Sequence, residues 1–327
     1  MSQLEIILGI KYIYYPLLTA VGVAVNVAAI VVLSRGKCAL SKCITRYLVA
    51  MAAADLLVII VDVLLNKILA SHFPLSFLHN PIVCSLRRTL LRSATDNSVW
   101  STVLFTFDRF VAICCPVLKV HYCTEKTATL VLWTVGVLGC LNNIPWYFTF
   151  ESEYTIDGAS WGCQTKSSFY TSPAWSAFAW FDVILTPCVP FFLILLLNAI
   201  TVRHILIASR VRKGLRGGGA GADENDPEME SRRKSIILLL SISGTFILLW
   251  MLHVLLFLYS RITNDHESTG NEDPLFIAQQ TGAMLLLLSC CTNTFIYVAT
   301  QAKFREELKN GTQYLFKICL PVTVLRL

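Results

Sequence analysis

Seven stretches of mostly apolar residues, each long enough to cross a bilayer, constrain this chain more than any other feature. They run over about 8–34, 45–70, 84–115, 126–148, 174–209, 232–262 and 274–299. A helix crosses the hydrocarbon core with about 20 residues, and inside lipid it must satisfy its own backbone polar groups. Only 15% of the chain is charged while 55% is hydrophobic, against about 25% charged in soluble domains. So little polar surface makes lipid the solvent for most of the molecule. The predicted fold is an all-α membrane protein: a seven-transmembrane helix bundle with a short amphipathic cytoplasmic helix after the seventh span. The third span is the least apolar, because Arg87, Arg88, Arg92 and Asp96 lie in its first half.

Lysine and arginine set the expected orientation, since cytoplasmic loops carry their excess. One side holds 18 of them and the other 4, or 7 with the three arginines that open the third span. That bias places the N-terminus outside and the C-terminus in the cytoplasm. The start, MSQLEIILGIKYIYY, has no basic region and no small-residue cleavage site, so the first span is expected to act as its own insertion signal. The expected organisation is an extracellular N-terminus at 1–7, a transmembrane domain at 8–299 and an amphipathic helix and tail at 300–327. Within it, KGLRGGGAGADENDPEMESRRK reads as a flexible inner loop over 210–231. Phe304, Leu308, Leu315 and Phe316, interleaved with charges, suit a helix lying on the inner membrane surface.

Six of the twelve cysteines sit in apolar runs (Cys114, Cys115, Cys140, Cys188, Cys290, Cys291), where a thiol acts as a small hydrophobe. No CxxC pair argues for structural zinc. Cys84 and Cys163 are the two cysteines on the outer, oxidising side, so they are expected to form a disulfide. Polar groups within a bilayer are costly and mark function. Asp55, Asn26 and Asn293 lie mid-span, and Asp108-Arg109 closes the third span. Catalytic signatures such as GxSxG, HExxH or a phosphate-binding glycine loop are lacking. The expected activity is therefore transmission of binding energy across the membrane, not chemistry, and nothing suggests a nucleic-acid partner.

Taken in order, these landmarks resemble the rhodopsin-like family of G protein-coupled receptors. They are GVAVN ending at Asn26, the run to Asp55, and Cys84 with Asp108-Arg109-Phe110 in the third span. Pro116, Trp133, Pro190, Phe246-Ile-Leu-Leu-Trp250, Asn293-Thr-Phe-Ile-Tyr297 and Phe304 follow. The wording SVWSTVLFTFDRFVAI and TNTFIY is most similar to orphan receptors of the G protein-coupled receptor 139 subgroup, whose members are thought to respond to aromatic amino acids. The resemblance implies a plasma-membrane receptor for an extracellular small molecule or short peptide that activates a heterotrimeric G protein. Asp108, Arg109, Phe246, Trp250, Asn293 and Tyr297 would carry activation. Asp55, Ser98, Ser289 and Asn293 could ring an allosteric sodium ion; water alone bridging them is the other reading, and no other cofactor is implied. Arg88, Arg92, Asp96, Asp182, Trp250 and His253 are the candidate ligand-binding residues. Arg92 would take a carboxylate and Asp182 or Asp96 an ammonium, unless these groups simply neutralise one another. Leu91 stands where amine receptors carry aspartate, and the seventh span has no lysine for retinal.

Several positions depart from the family pattern. Leu252 and Thr294 replace helix-kinking prolines, and Asn198 replaces a tyrosine. Arg232 occupies the place of an acidic residue that in many relatives tethers the third-span arginine, which predicts a repulsion and raised ligand-independent signalling. A non-signalling scavenger or chaperone-like seven-helix receptor is the competing reading. The intact Asp108-Arg109 pair speaks against it.

Overall fold

The computed structural model describes residues 3–73, 75–215, 227–263 and 274–324. Their helices follow the apolar runs. The first span is α1 (Gln3–Ser34), the second α2 (Lys42–Val58), which continues as a π-helix over Ile59–Ala70, and the third α3 (Pro81–Cys114). A short α4 (Pro116–Tyr122) leads to the fourth span, α5 (Glu125–Tyr147). After a loop and a short α6 (Ser167–Thr171), the fifth span is α7 (Pro173–Val183) joined through 184–188 to α8 (Val189–Leu215). The sixth and seventh are α9 (Pro227–Thr263) and α10 (Pro274–Thr300), followed by α11 (Ala302–Val324).

Six of these spans are apolar and long enough to cross a membrane. The exception is α3, whose length suffices but whose charges do not fit lipid. It is instead packed by the others, so that Arg87, Asp96, Asp108 and Arg109 are all buried. Side-chain caps start the helices where the sequence offers them. Ser41 accepts from the Ile44 amide at α2, Thr124 from Thr127 at α5, and Asn80 from Ile82 at α3, with Pro81 in the first turn.

The break in the fifth span lies at Thr186 (φ −147°, ψ 108°), before Pro187, and not at Pro190. In contrast, α9 and α10 run through Leu252 and Thr294 as unbroken helices. Small residues set close approaches. A Cβ on Gly22 would stand 2.9 Å from the Cys291 sulfur and 3.1 Å from Ile59, so α1 meets the second span and α10 there. A Cβ on Gly282 would stand 3.1 Å from the His253 Cα, locking α10 against α9.

Between α5 and α6 the chain forms two nested antiparallel pairs. The strands are β1 (Phe150–Glu151), β2 (Tyr154–Ile156), β3 (Ala159–Trp161) and β4 (Gln164–Thr165), with β1 pairing β4 and β2 pairing β3. Asp157-Gly158, both at positive φ, makes the inner hairpin turn. The Cys84–Cys163 disulfide ties this loop to α3, and the Gly162 amide donates to the His79 carbonyl at 2.7 Å. At the opposite end α11 leaves α10 through Gln301. Arg305 donates to the last α10 carbonyls, Val298 at 2.8 Å and Ala299 at 3.1 Å, and Phe304 is fully buried against Tyr297. Helix extends from both sides into the predicted 210–231 loop, as far as Leu215 and again from Pro227; the segment between lies outside the described residues. Leu315 and Phe316 also have side chains outside them.

Candidate functional site

Polar residues that lipid would not accept line up along α3 from the disulfide end to the Arg109 end. At the disulfide end, the Arg92 guanidinium lies over the Trp146 ring, 3.5 Å from its centroid, and 3.5 Å from the Asp182 carboxylate of α7. One turn deeper, Asn143 of α5 donates to Asp96 at 2.6 Å. Asp96 and Asp182 are both buried. Trp146, Phe169, Trp175 and Phe178 form an aromatic wall beside the arginine, with Trp146 and Phe178 centroids 5.3 Å apart. Arg92, Asp96 and Asp182 thus come together as the sequence suggested. Arg88 turns away to lie over Phe150 of β1 at 5.5 Å. Its neighbour Arg87 is the buried one, donating to the Leu65 carbonyl at 3.0 Å. Arg87, noted from sequence as a charge of the third span, was not among the candidate site residues, and neither were Asn143 and Trp146; Asn143, a polar residue inside an apolar span, carried a readable signal.

Below the cluster, the Trp250 and Phe246 rings of α9 meet at a tilt with centroids 5.0 Å apart, and Phe191 meets Phe246 at 5.6 Å. His253 touches Trp250 edge-on at 6.5 Å and stacks on Phe257 at 6.2 Å. The Trp250 indole donates to the Ser289 hydroxyl at 2.9 Å, which itself donates to the Leu286 carbonyl at 2.6 Å. Ser289 therefore serves Trp250 and not Asp55.

Asp55 accepts from Ser98 at 2.5 Å and from the Asn293 amide nitrogen at 2.9 Å. Asn26 donates to the Gly22 and Cys290 carbonyls, and its own carbonyl oxygen is buried with no partner among the described residues. As arranged, this donor set does not fit a resident sodium ion. Asn293 presents N–H to the carboxylate, and the Ser289 oxygen is turned elsewhere. A hard cation needs several converging oxygens.

At the far end Arg109, 5% exposed, is held by Asp108 through Nε at 3.0 Å and through Nη2. Its Nη1 reaches across to the Ser235 hydroxyl of α9 at 3.3 Å. Asp108 also accepts from the Cys43 thiol of α2 at 2.9 Å, a partner that the sequence did not point to. Asn198 of α8 donates to Ser243 of α9 at 2.8 Å, so the residue replacing the family tyrosine still links those helices. Tyr297 is buried, and its hydroxyl has no partner among the described residues. The Arg232 side chain lies outside the described residues. No group of three or more His, Cys, Asp or Glu suited to a metal occurs among the described residues.

Seven helical spans with this column of polar contacts define a membrane receptor. The profile of the 7 transmembrane receptor (rhodopsin family) matches residues 25–297, and the chain belongs to that family. It is a G protein-coupled receptor and not an enzyme. The C5a anaphylatoxin chemotactic receptor 1 of Oncorhynchus mykiss is 27% identical over 317 residues, covering 96% of this chain and 84% of the relative. The probable G-protein coupled receptor 142 of Mus musculus is 25% identical over 308 residues, covering 92% and 72%. The tachykinin-like peptides receptor 86C of Drosophila melanogaster is 23% identical over 273 residues; that match covers 81% of this chain and about half of the relative, 51%.

Proposed function

We propose that this receptor sits in the plasma membrane with its disulfide end outside and recognises a zwitterionic ligand, an aromatic amino acid or short peptide. The observation that carries this reading is Arg92, sandwiched between the Trp146 face and Asp182. A 3.5 Å contact is the outer limit of a hydrogen bond. A ligand carboxylate can therefore take the guanidinium in better geometry while its ammonium takes Asp182 or Asp96. The aromatic wall supplies area for an aromatic side chain, in line with the resemblance to the G protein-coupled receptor 139 subgroup. The lysine and arginine bias supports the orientation, and two of the relatives above are named for a peptide or protein ligand. Ligand engagement at α3, α5 and α7 shifts the population of helix arrangements. Trp250 and Phe246 sit between that cluster and Arg109, which a heterotrimeric G protein would meet.

The test is nucleotide exchange on a G protein panel with the receptor exposed to the amino acids and short peptides. A hit is expected to lose potency at least tenfold in both Arg92→Ala and Asp182→Asn. An agonist whose potency is unchanged in both variants overturns the clamp.

A further inference from the structure

On the membrane-facing seam of α3 and α5 lies a groove of about 500 Å³ that none of the networks above uses. Its walls are one face of α5 from Leu132 to Ile144, with exposed Trp133 and Leu141, and Asn97 of α3 is the one side chain of the lining that brings a strong acceptor, an amide oxygen. Gly136 lies directly against the Asn97 amide, where a Cβ would come into van der Waals contact with Oδ1 at 3.4 Å and cover part of it. The amide orientation is fixed, because Nδ2 donates to the Ser93 carbonyl at 2.8 Å. Oδ1 is then the group turned to the groove, and no donor reaches it among the described residues. Asn97 and Gly136 both fall near the middle of their helices, so this acceptor faces hydrocarbon, where an unmatched polar group is costly.

We infer that the groove binds a neutral lipophilic molecule bearing a single hydroxyl donor, taken up from the bilayer interior. The apolar walls exclude a charged ligand, and saturated acyl chains carry no donor for Oδ1. An occupant would bear on the α3 turn that holds Asp96 and Ser98, the first bonded to Asn143 and the second to Asp55.

The full chain in phosphatidylcholine nanodiscs is irradiated with a diazirine-bearing dialkylphenol, or with its methyl ether, and the adducts are mapped by peptide sequencing. The phenol is expected to label 132–144 in wild type. Labelling should fall about fivefold, the factor one ordinary hydrogen bond carries, in Asn97→Leu and for the ether on wild type. It should also fall in Gly136→Val, which fills the groove. Equal labelling by phenol and ether, or unchanged labelling in Asn97→Leu, means that only acyl-like partitioning occurs and overturns the inference. Labelling spread evenly over the lipid-facing helices overturns it too. The ether comparison needs no variant to fold, and the outcome is independent of the ligand proposed above.

Discussion

Replacing Ser235 with alanine removes the hydrogen bond that α9 makes to Arg109 among the described residues. The Asp108 pair cannot hold α9, because Asp108 and Arg109 share α3. Hydrogen bonds to charged groups contribute about 1.5–3 kcal/mol. At 3.3 Å and only part-buried, this one falls below that range, about 1 kcal/mol. With about 1.4 kcal/mol for each tenfold change, the ratio of active to inactive receptor should rise about fivefold. The assay is ligand-independent nucleotide exchange at matched surface expression, over a series of receptor densities. Ser235→Thr keeps the hydroxyl and should remain near wild type. Wild type itself should show a measurable slope with receptor density, because the partner that α9 offers Arg109 among the described residues is a neutral hydroxyl. Basal exchange in Ser235→Ala within twofold of wild type would refute the reasoning.

Arg109→Ala should abolish agonist-stimulated exchange while the receptor still reaches the surface; retained exchange removes Arg109 from the coupling role. Gly282→Val should lower thermal stability, by about 1–3 kcal/mol for overpacking, because the new side chain meets the His253 backbone; an unchanged melting temperature in detergent would show that α9 and α10 can separate freely. Burial and then the nearby Asp108 carboxylate push the Cys123 thiol up to about 12. It is therefore protonated at pH 7–8 and should alkylate slowly with N-ethylmaleimide; modification at pH 8 as fast as a free peptide thiol counts against this environment.

Lipid makes the seven spans legible in sequence, because it demands long apolar helices, and it makes a mid-span charge such as Asp55 conspicuous. Asp55, Ser98 and Asn293 do meet, as do Arg92, Asp96 and Asp182. Details that depend on how one helix is rotated against its neighbours were not legible. Spacing by fours selects Arg88 with Arg92, yet Arg88 turns to Phe150 and Arg87 goes inside. Cys43 looks generic until Asp108 stands beside it, and Ser289, grouped with Asp55 from sequence, turns out to meet Trp250. The π-helical stretch of the second span leaves no pattern in its residues, because it is a shift of backbone register. Two prolines, Pro187 and Pro190, compete to break the fifth span, and sequence alone does not choose between them.

The polarity of α3 bears on how the molecule is made. A central arginine or aspartate adds about 2.5–3.5 kcal/mol to the insertion of a single helix, and α3 carries several. As its sequence leaves the translocon, α3 has no favourable solvent of its own. It becomes membrane-compatible only with the second span on one side and α5 on the other, which supply Leu65, Asp55 and Asn143 as partners. A substitution that loosens either neighbour would then surface as a biogenesis defect, with chains retained and degraded before any ligand is met.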